Sequence, residues 1–335
     1  MQETSGKQKR IKSKFATKVM KASLIGTVAS LIAVGSFNTN FGKSLKIENF
    51  IITNRYESSM YKINQKNNIR SEINFDQIVE PTEAMKKKAK EITQNSKTAD
   101  EALRKTIDYM KKFKIKTKNL PTQLPKDMDL SKEGDCNERS FYMYSLLKEI
   151  EKQSNFKFQT SLVQVYISEK GEHVNHMVLK VNSNGWKFVD TLSSNPFVNG
   201  YKLYRELNET QVVANYYEDL GSYFAMNADY NKSEQYLKIA YNLDPNSPSI
   251  IFNLSKLYSY KREERKALEY AEKLFNIEKK WIYPYVRYIQ IYYSLDDHKK
   301  MEEFIKKGEE IDPENKVIKM YRGILDRIKD YSKKD

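Results

Sequence analysis

The pattern of hydrophobic and polar positions changes its period twice along the chain. Apolar side chains recur at helical spacing over 83–92 and 102–113, which predicts two helices, and a capping-box pattern at Thr98–Glu101 precedes the second. Residues 119–132 contain two prolines and several polar side chains, which predicts a loop. A further helix is predicted from Cys136 onward, because four apolar residues recur at three-residue intervals and give one buried stripe: Phe141, Tyr144, Leu147 and Ile150.

From residue 156 the period becomes two, which predicts β-strands. One strand is predicted over 158–166. A hairpin is predicted over 173–190, with its turn in the polar run Asn182–Gly185.

The register of this hairpin decides where two polar side chains lie. If the loop has three residues and Val181 pairs with Gly185, His176 lies directly opposite Asp190 on one face of the sheet. A four-residue loop would place the two side chains on opposite faces. A site that uses both residues therefore requires the odd-length loop or a compensating bulge.

The last third of the chain is repetitive. The spacing from Pro245 to Pro313 is twice a period of about 34 residues. Three segments carry apolar, small and proline residues at matching places: 214–247, 248–281 and 282–315. This pattern resembles the tetratricopeptide repeat (TPR) and implies an all-α superhelix of three repeats, which a capping helix and tail over 316–335 would close. The alternative is an unrelated bundle of helical hairpins.

The composition is that of a soluble protein with two or more domains. The chain has 335 residues, of which 39% are hydrophobic and 30% are charged. Its net charge is +14, but the N-terminal segment 1–21 alone holds seven Lys and Arg against one Glu. The remaining basic residues are mostly lysines interspersed with acids, and no arginine-rich motif alternates with aromatic residues. We therefore expect no nucleic-acid binding.

An uncharged run over 22–37 follows the basic N-terminal segment. A basic flank, an apolar stretch and small residues are typical of a secretory signal peptide, and a retained membrane anchor is the alternative. A third possibility is an amphipathic or buried helix. We assign residues 1–40 to the signal peptide or anchor and 41–70 to a linker. The rest of the chain is then extracytoplasmic, secreted or membrane-anchored, and meets the membrane only through the N-terminal segment.

Cys136 is the only cysteine in the chain. A thiol at the start of a helix gains from the positive end of the helix dipole, which lowers its pKa. His176 and Asp190 supply the other two members that a Cys-His-Asp nucleophilic site needs. The alternative is that Cys136 is a small buried hydrophobic residue.

No cofactor or metal is expected. His173 and His176 are three residues apart, and on a strand this spacing points their side chains to opposite faces. With a single cysteine and no further histidine nearby, the residues do not form a typical metal-ligand set. The third histidine, His298, is predicted to be a surface residue of the repeat region.

Three short motifs in this order resemble the transglutaminase-like superfamily of papain-like Cys-His-Asp proteins: Gly134–Glu138, Asn175-His176 and Gly185–Thr191. The resemblance covers about residues 80–195, and we assign 71–210 to this domain. It implies an α+β core in which the helix that bears the cysteine packs on an antiparallel sheet. One position departs from the family pattern, since many relatives have tryptophan directly after the histidine and this chain has Met177.

The resemblance also implies the catalytic roles. Cys136 as a thiolate would attack an amide carbonyl, His176 would protonate the leaving amine, and Asp190 would orient the imidazole. The Cys136 N–H would be one oxyanion donor, and Gln123 is a candidate for a second. The intermediate is a thioester. Water as acceptor gives a peptidase or amidase, whereas an amine gives a cross-linking enzyme.

The sequence therefore predicts an exported or membrane-tethered cysteine acyl-transfer enzyme that acts on amide bonds of a protein or peptide substrate. Its TPR repeats would bind a protein partner. The alternative is a catalytically inactive transglutaminase-like scaffold whose repeats mediate protein–protein interaction.

Overall fold

The computed structural model of the protein describes residues 73–116, 121–168, 171–198 and 200–332. The predicted N-terminal segment over 1–40 and the linker over 41–70 lie outside these residues. Of the helices that are described, none has both the length and the apolar character that crossing a bilayer requires.

The N-terminal half of the described chain begins with five helices. They are α1 (Phe75–Ile78), α2 (Glu83–Gln94), α3 (Ala99–Met110), α4 (Pro125–Ser131) and α5 (Cys136–Gln153).

Three of these helices differ from the sequence prediction, and the first of them, α1, was not predicted. Helix α3 begins three residues earlier than predicted, because Thr98 is its N-cap and accepts from the Glu101 N–H, so the intervening residues are already helical. Helix α4 lies inside the segment predicted as a loop. Pro125 is its first residue, where the missing N–H and the fixed φ of proline favour a helix start.

An antiparallel sheet follows the helices. Its strands are β3 (Gln159–Ser168), β4 (Gly171–Asn182), β5 (Trp186–Val189), β6 (Phe197–Val198) and β7 (Tyr201–Glu206), in the order β6-β5-β4-β3-β7. Strands β6 and β7 were not predicted. A separate parallel pair, β1 (Lys114–Ile115) with β2 (Glu133–Gly134), ties the end of α3 to the start of α5.

The β4–β5 hairpin has the expected odd-length loop, but its register differs from the prediction. Asn182 pairs with Trp186, so the loop is 183–185 and the register is displaced by two residues from the predicted pairing. Gly185 takes a positive φ of 100° and donates its N–H to the Asn182 side chain, a conformation that a residue with a Cβ would adopt only with strain. Because the displacement is an even number, residues predicted to share a face still share it.

Helix α5 is the centre of this half of the molecule. It packs against α2, α3 and α4 and against strands β3 and β4. The prediction of a single buried stripe was wrong, since most of the helix is buried, including the polar side chains of Glu138, Arg139 and Glu149. A helix covered by other helices and by a sheet needs buried positions on most of its sides.

The C-terminal part consists of helical hairpins. The helices are α6 (Glu209–Met226), α7 (Tyr230–Leu243), α8 (Pro248–Tyr260), α9 (Glu264–Ile277), α10 (Ile282–Ser294), α11 (His298–Ile311) and the closing α12 (Lys316–Ser332). The second helices of the three hairpins begin at Tyr230, Glu264 and His298, and this even spacing equals the predicted repeat period. Helix α8 packs against both α6 and α10, the first helices of the neighbouring hairpins.

The sheet and the helical hairpins share a hydrophobic core. Tyr166 from β3 packs in one buried cluster with Ile251, Leu274 and Trp281 from the hairpins. The Tyr166 and Trp281 rings meet edge to face with their centroids 5.5 Å apart. Leu203 of β7 packs against the same cluster. The hairpins are therefore joined to the sheet by a core, and the described residues belong to one compact unit.

Candidate active site around Cys136

The motif around Cys136 builds the first turn of α5. Asp135 is the N-cap, and its carboxylate accepts from the N–H groups of Asn137 and Glu138 at 3.0 and 3.1 Å. Glu138 completes the capping box by accepting the Asp135 N–H at 2.9 Å. The Cys136 N–H is not among the groups that Asp135 caps. Gly134 precedes them in a tight space, where a Cβ would lie 2.6 Å from Met128 Cε.

The Cys136 thiol lies against strand β4. Its Sγ is 3.8 Å from the backbone oxygen of Asn175, the residue before His176, and 3.7 Å from Oδ1 of Asn137. The residue as a whole is partly buried. Helix α5 therefore presents the thiol to the segment of β4 that carries His176.

The surroundings of the thiol favour its protonated form. Burial raises the pKa of Cys136 far above its usual value, the negative charges of Asp135, Asp219 and Asp190 raise it further, and a hydrogen bond from the Met177 N–H opposes them. From the sequence, the helix start was expected to lower the pKa of Cys136, and the structure gives the opposite direction. Desolvation and nearby carboxylates outweigh the helix dipole here.

The side chains of His176 and Asp190 are in contact, on one face of the hairpin with the odd-length loop. His176 Nε2 lies 3.0 Å from Asp190 Oδ2, and each side chain is 15% exposed. Asp190 directly follows β5, and in the observed register it is diagonal to His176 on the same face, not directly opposite as predicted.

The pKa of Asp190 is lowered overall. Burial acts to raise it, but the hydrogen bond and charge of His176 and the N–H groups of Leu192 and Ser193 lower it by more. Asp190 is therefore held as a carboxylate, the form that orients an imidazole and stabilises its cation.

Two residues that the sequence analysis did not single out support the segment of Asp190. The buried guanidinium of Arg139 donates to the backbone oxygens of Thr191, Phe113 and Met110 at 2.6 to 2.9 Å. The hydroxyl of Tyr201 lies beside Asp190, and burial together with that carboxylate raises the pKa of Tyr201. For Arg139, the sequence did contain a signal, since it is a charged residue among the apolar residues of helix α5. For Tyr201 it contained none.

The side chain of Gln123 contacts the same helix start. Its backbone N–H donates to Glu138 Oε1 at 2.7 Å, and its side-chain amide donates to the Glu133 backbone oxygen at 3.4 Å. Glu138 also pairs with Lys116 at 2.6 Å. Burial and the charge of Asp135 raise the pKa of Glu138 to about 7, although Lys116 opposes the shift. Gln123 as an oxyanion donor stays a prediction.

A carboxylate from the helical hairpins also reaches the site. Asp219 on α6 accepts from Asn137 Nδ2 at 2.7 Å and from Asn175 Nδ2 at 3.2 Å. Asn175 Oδ1 in turn accepts from Gln164 Nε2 and Asn215 Nδ2, both at 3.0 Å. Asn137 and Asn175 were visible in the motifs, but their partner on α6 was not, because it is 82 residues from Asn137.

His298 lies outside this arrangement, and of His173 the structure gives only its place in strand β4. His298 begins α11, and its Nε2 is 3.1 Å from Asp296 Oδ1. Within the described part of the chain, no three His, Cys, Asp or Glu side chains come together as a possible metal site.

No protein-family model and no curated protein matches the chain. Solved TPR domains are similar to part of it. The Arabidopsis OM64 TPR domain is 18% identical with a TM-score of 0.34, over 35% of this chain and 98% of that chain. The Sgt2 TPR domain from Aspergillus fumigatus is 19% identical with a TM-score of 0.34, over 36% and 82%. The Hsp90 co-chaperone Cns1 from Saccharomyces cerevisiae is 18% identical with a TM-score of 0.35, over 38% and 42%.

Proposed function

We propose that the protein is a cysteine acyl-transfer enzyme of the transglutaminase-like type, with a helical repeat region that binds a protein partner. One observation carries the proposal. The helix start with Cys136 lies against the segment of β4 that holds His176, and the imidazole of His176 pairs with Asp190. A nucleophile, a base and a group that orients the base are the parts that covalent acyl transfer needs.

The proposed reaction has two steps. The Cys136 proton passes to His176, sulfur attacks the amide carbonyl, and the C–N bond breaks as His176 returns the proton to the leaving amine. A thioester to Cys136 remains. Water or a second amine then attacks its carbonyl carbon and releases the thiol, so the product is an acid or a new amide. The N–H of Cys136 would stabilise the oxyanion in both steps.

The second candidate is a scaffold that keeps the fold and the protein-binding repeats without chemistry. The raised pKa of Cys136 favours it, because a protonated thiol is a poor nucleophile. The enzyme proposal needs a protonated His176 to stabilise the thiolate against burial and the carboxylates around it. The two candidates therefore differ in whether the reactivity of Cys136 depends on His176.

Binding of a protein partner is common to both candidates. Its support is the stack of helical hairpins, together with exposed apolar side chains at the C-terminal end of the stack: Leu295, Ile311, Val317 and Met320. Export or membrane tethering is likewise a proposal, supported by the basic and apolar pattern of residues 1–40.

The test uses the full chain and two thiol probes. Iodoacetamide alkylation from pH 4 to 10 reports the thiolate fraction of Cys136, the only cysteine. Release of p-nitrophenolate from p-nitrophenyl acetate reports formation of an acetyl thioester. His298→Ala is the matched control for His176→Ala, because His298 also pairs with an aspartate but lies on α11.

If the enzyme proposal holds, a protonated His176 offsets burial and the nearby carboxylates, and the wild-type thiol reacts with a midpoint below the free-thiol value of about 8.5. His176→Ala should raise the midpoint and slow acetylation by about 10²-fold or more, whereas His298→Ala should change neither. A midpoint above that of a free thiol that does not respond to His176 would reject the enzyme in favour of the scaffold. Cys136→Ala should abolish acetylation and leave partner binding intact.

A further inference from the structure

We propose that Asp219, on the first helix of the repeat region, is a positioning residue of the thiol site. Its carboxylate connects the segment that carries Cys136 to the segment that carries His176. The inference rests on the proposed function, since it assigns a role in aligning the two reacting side chains. It makes α6 a structural part of the site and not only of a partner-binding module.

The Asp219 carboxylate forms a bridge of two hydrogen bonds between these two segments. One oxygen of Asp219 accepts from the side chain of Asn137, which directly follows Cys136, at 2.7 Å. The other oxygen accepts from the side chain of Asn175, which directly precedes His176, at 3.2 Å. Cys136 and His176 are thus each adjacent in sequence to an asparagine that binds the same carboxylate.

The two amides have little freedom to turn away. Asn175 Oδ1 already accepts from Gln164 and Asn215, and Asn137 Oδ1 is 3.7 Å from the Cys136 thiol. Both therefore direct their NH₂ groups at Asp219, and only a group with two acceptor atoms satisfies both. In Asp219→Asn, the new NH₂ group would face the NH₂ group of Asn137 or Asn175, and one of the two hydrogen bonds would be lost.

Keeping a carboxylate here works against folding. Burial and the charges of Asp135 and Glu218 raise the pKa of Asp219, while Asn137 and Lys116 oppose the shift. An isolated ionised group in this setting destabilises the folded state unless its hydrogen bonds compensate. The two hydrogen bonds of the bridge supply part of that compensation and link it to the site.

Glu218 is a matched control on the same helix. It is also buried, but its carboxylate accepts from Ser249 at 2.9 Å and from Asn253 at 2.8 Å, both on α8. Glu218→Gln therefore perturbs the packing between α6 and α8. Asp219→Asn perturbs the contact of α6 with the thiol site.

The experiment is a double-mutant cycle on the full chain. The alkylation midpoint of Cys136 is measured with and without His176→Ala in three backgrounds: wild type, Asp219→Asn and Glu218→Gln. The shift caused by His176→Ala reports the coupling between thiol and imidazole. Because each shift is taken within one background, the direct effect of removing the Asp219 charge cancels.

We expect His176→Ala to move the midpoint by about one pH unit, a tenfold coupling, in the wild type and in Glu218→Gln. In Asp219→Asn the coupling should fall below about twofold, because a displacement of about 1 Å is enough to uncouple reacting groups. The thermal unfolding midpoint is recorded for every variant. A residue with a merely structural role would change that midpoint and leave the coupling intact.

Two results would overturn the inference in different ways. A coupling that is present in the wild type and fully kept in Asp219→Asn rejects the positioning role and leaves the proposed enzyme standing. No coupling in the wild type rejects both. If Asp219→Asn does not fold, Asn175→Ala cuts the same bridge from the side of the strand, and a retained coupling in that variant overturns the inference equally.

Discussion

At the scale of single residues, the molecule concentrates carboxyl groups where helices α5 and α6 meet the sheet. Asp135, Glu138, Glu218 and Asp219 lie close enough to affect one another, and burial raises the pKa values of the last three. Lys116 is the cation that pairs with two of them, at 2.6 Å from Glu138 and 3.6 Å from Asp135. Such a cluster favours folding at acidic pH and makes stability depend on pH.

Glu218→Gln should make the stability of the chain less dependent on pH. The folded-state pKa of Glu218 is raised to about 8, mainly by burial. A carboxyl group whose pKa is raised by folding stabilises the folded state while it is protonated, and that stabilisation is lost as the pH rises from the ordinary value of about 4.3 to the folded value. Between pH 5 and 8 the free energy of unfolding should therefore fall more steeply in the wild type, by up to about 1.4 kcal/mol per pH unit.

Urea unfolding at pH 5, 6.5 and 8 measures this difference. Glu269→Gln, which alters an exposed carboxylate on α9, is the control and should follow the wild type. If the curves of wild type and Glu218→Gln stay parallel between pH 5 and 8, Glu218 does not carry the raised pKa.

At the scale of elements, the sequence predicted the helices and repeats whose patterns depend on residues close together in the chain. The repeat period predicted the helical hairpins, and the apolar spacing after Cys136 predicted helix α5, because both are local properties. Helix α4 was missed because two prolines were interpreted as loop residues, although one of them begins the helix. The hairpin register was wrong by two residues because Asn182 could be assigned to the turn or to the strand end.

Close helix packing predicts opposite effects for two glycines. At Gly221 of α6 a Cβ would lie 2.6 Å from Leu237 Cγ of α7, whereas at Gly323 of α12 it would have no atom within 4 Å. Gly221→Ala should lower the free energy of unfolding by about 1–3 kcal/mol through overpacking. Gly323→Ala should raise it by about 0.5–1 kcal/mol, since alanine favours a helix. Urea unfolding of both variants decides this, and a stabilised Gly221→Ala would show that the hairpin can widen at no cost.

At the scale of the whole molecule, the domain boundary drawn from the sequence does not separate two independent cores. The sequence patterns change period near residue 210, which suggested one module on each side. The structure instead joins β3 and the hairpins through Tyr166 and Trp281, and joins α6 to the thiol site through Asp219. Contacts between residues so far apart in sequence leave no local pattern, so Asp219 could not be found from periodicity or from short motifs.

This shared core predicts that both parts unfold together. Trp281 is fully buried, and the other tryptophan, Trp186, is 52% exposed on the hairpin. In a Trp186→Phe background, Trp281 fluorescence reports the repeat region, and the reaction of Cys136 with a thiol reagent reports helix α5. The two probes should give one urea midpoint, as expected for a single cooperative unit.

Trp281→Ala should lower the free energy of unfolding by about 3–5 kcal/mol, because it leaves a cavity between the sheet and the hairpins. The decisive readout is the exposure of the Cys136 thiol, which lies outside the Trp281 cluster. Its urea midpoint should fall together with the far-ultraviolet circular dichroism signal of the helices. Leu295→Ala, at the half-exposed end of α10, is the control and should change both by far less. A thiol midpoint that stays at its wild-type value in Trp281→Ala would mean that the two parts fold separately, and that the repeats act as an independent module.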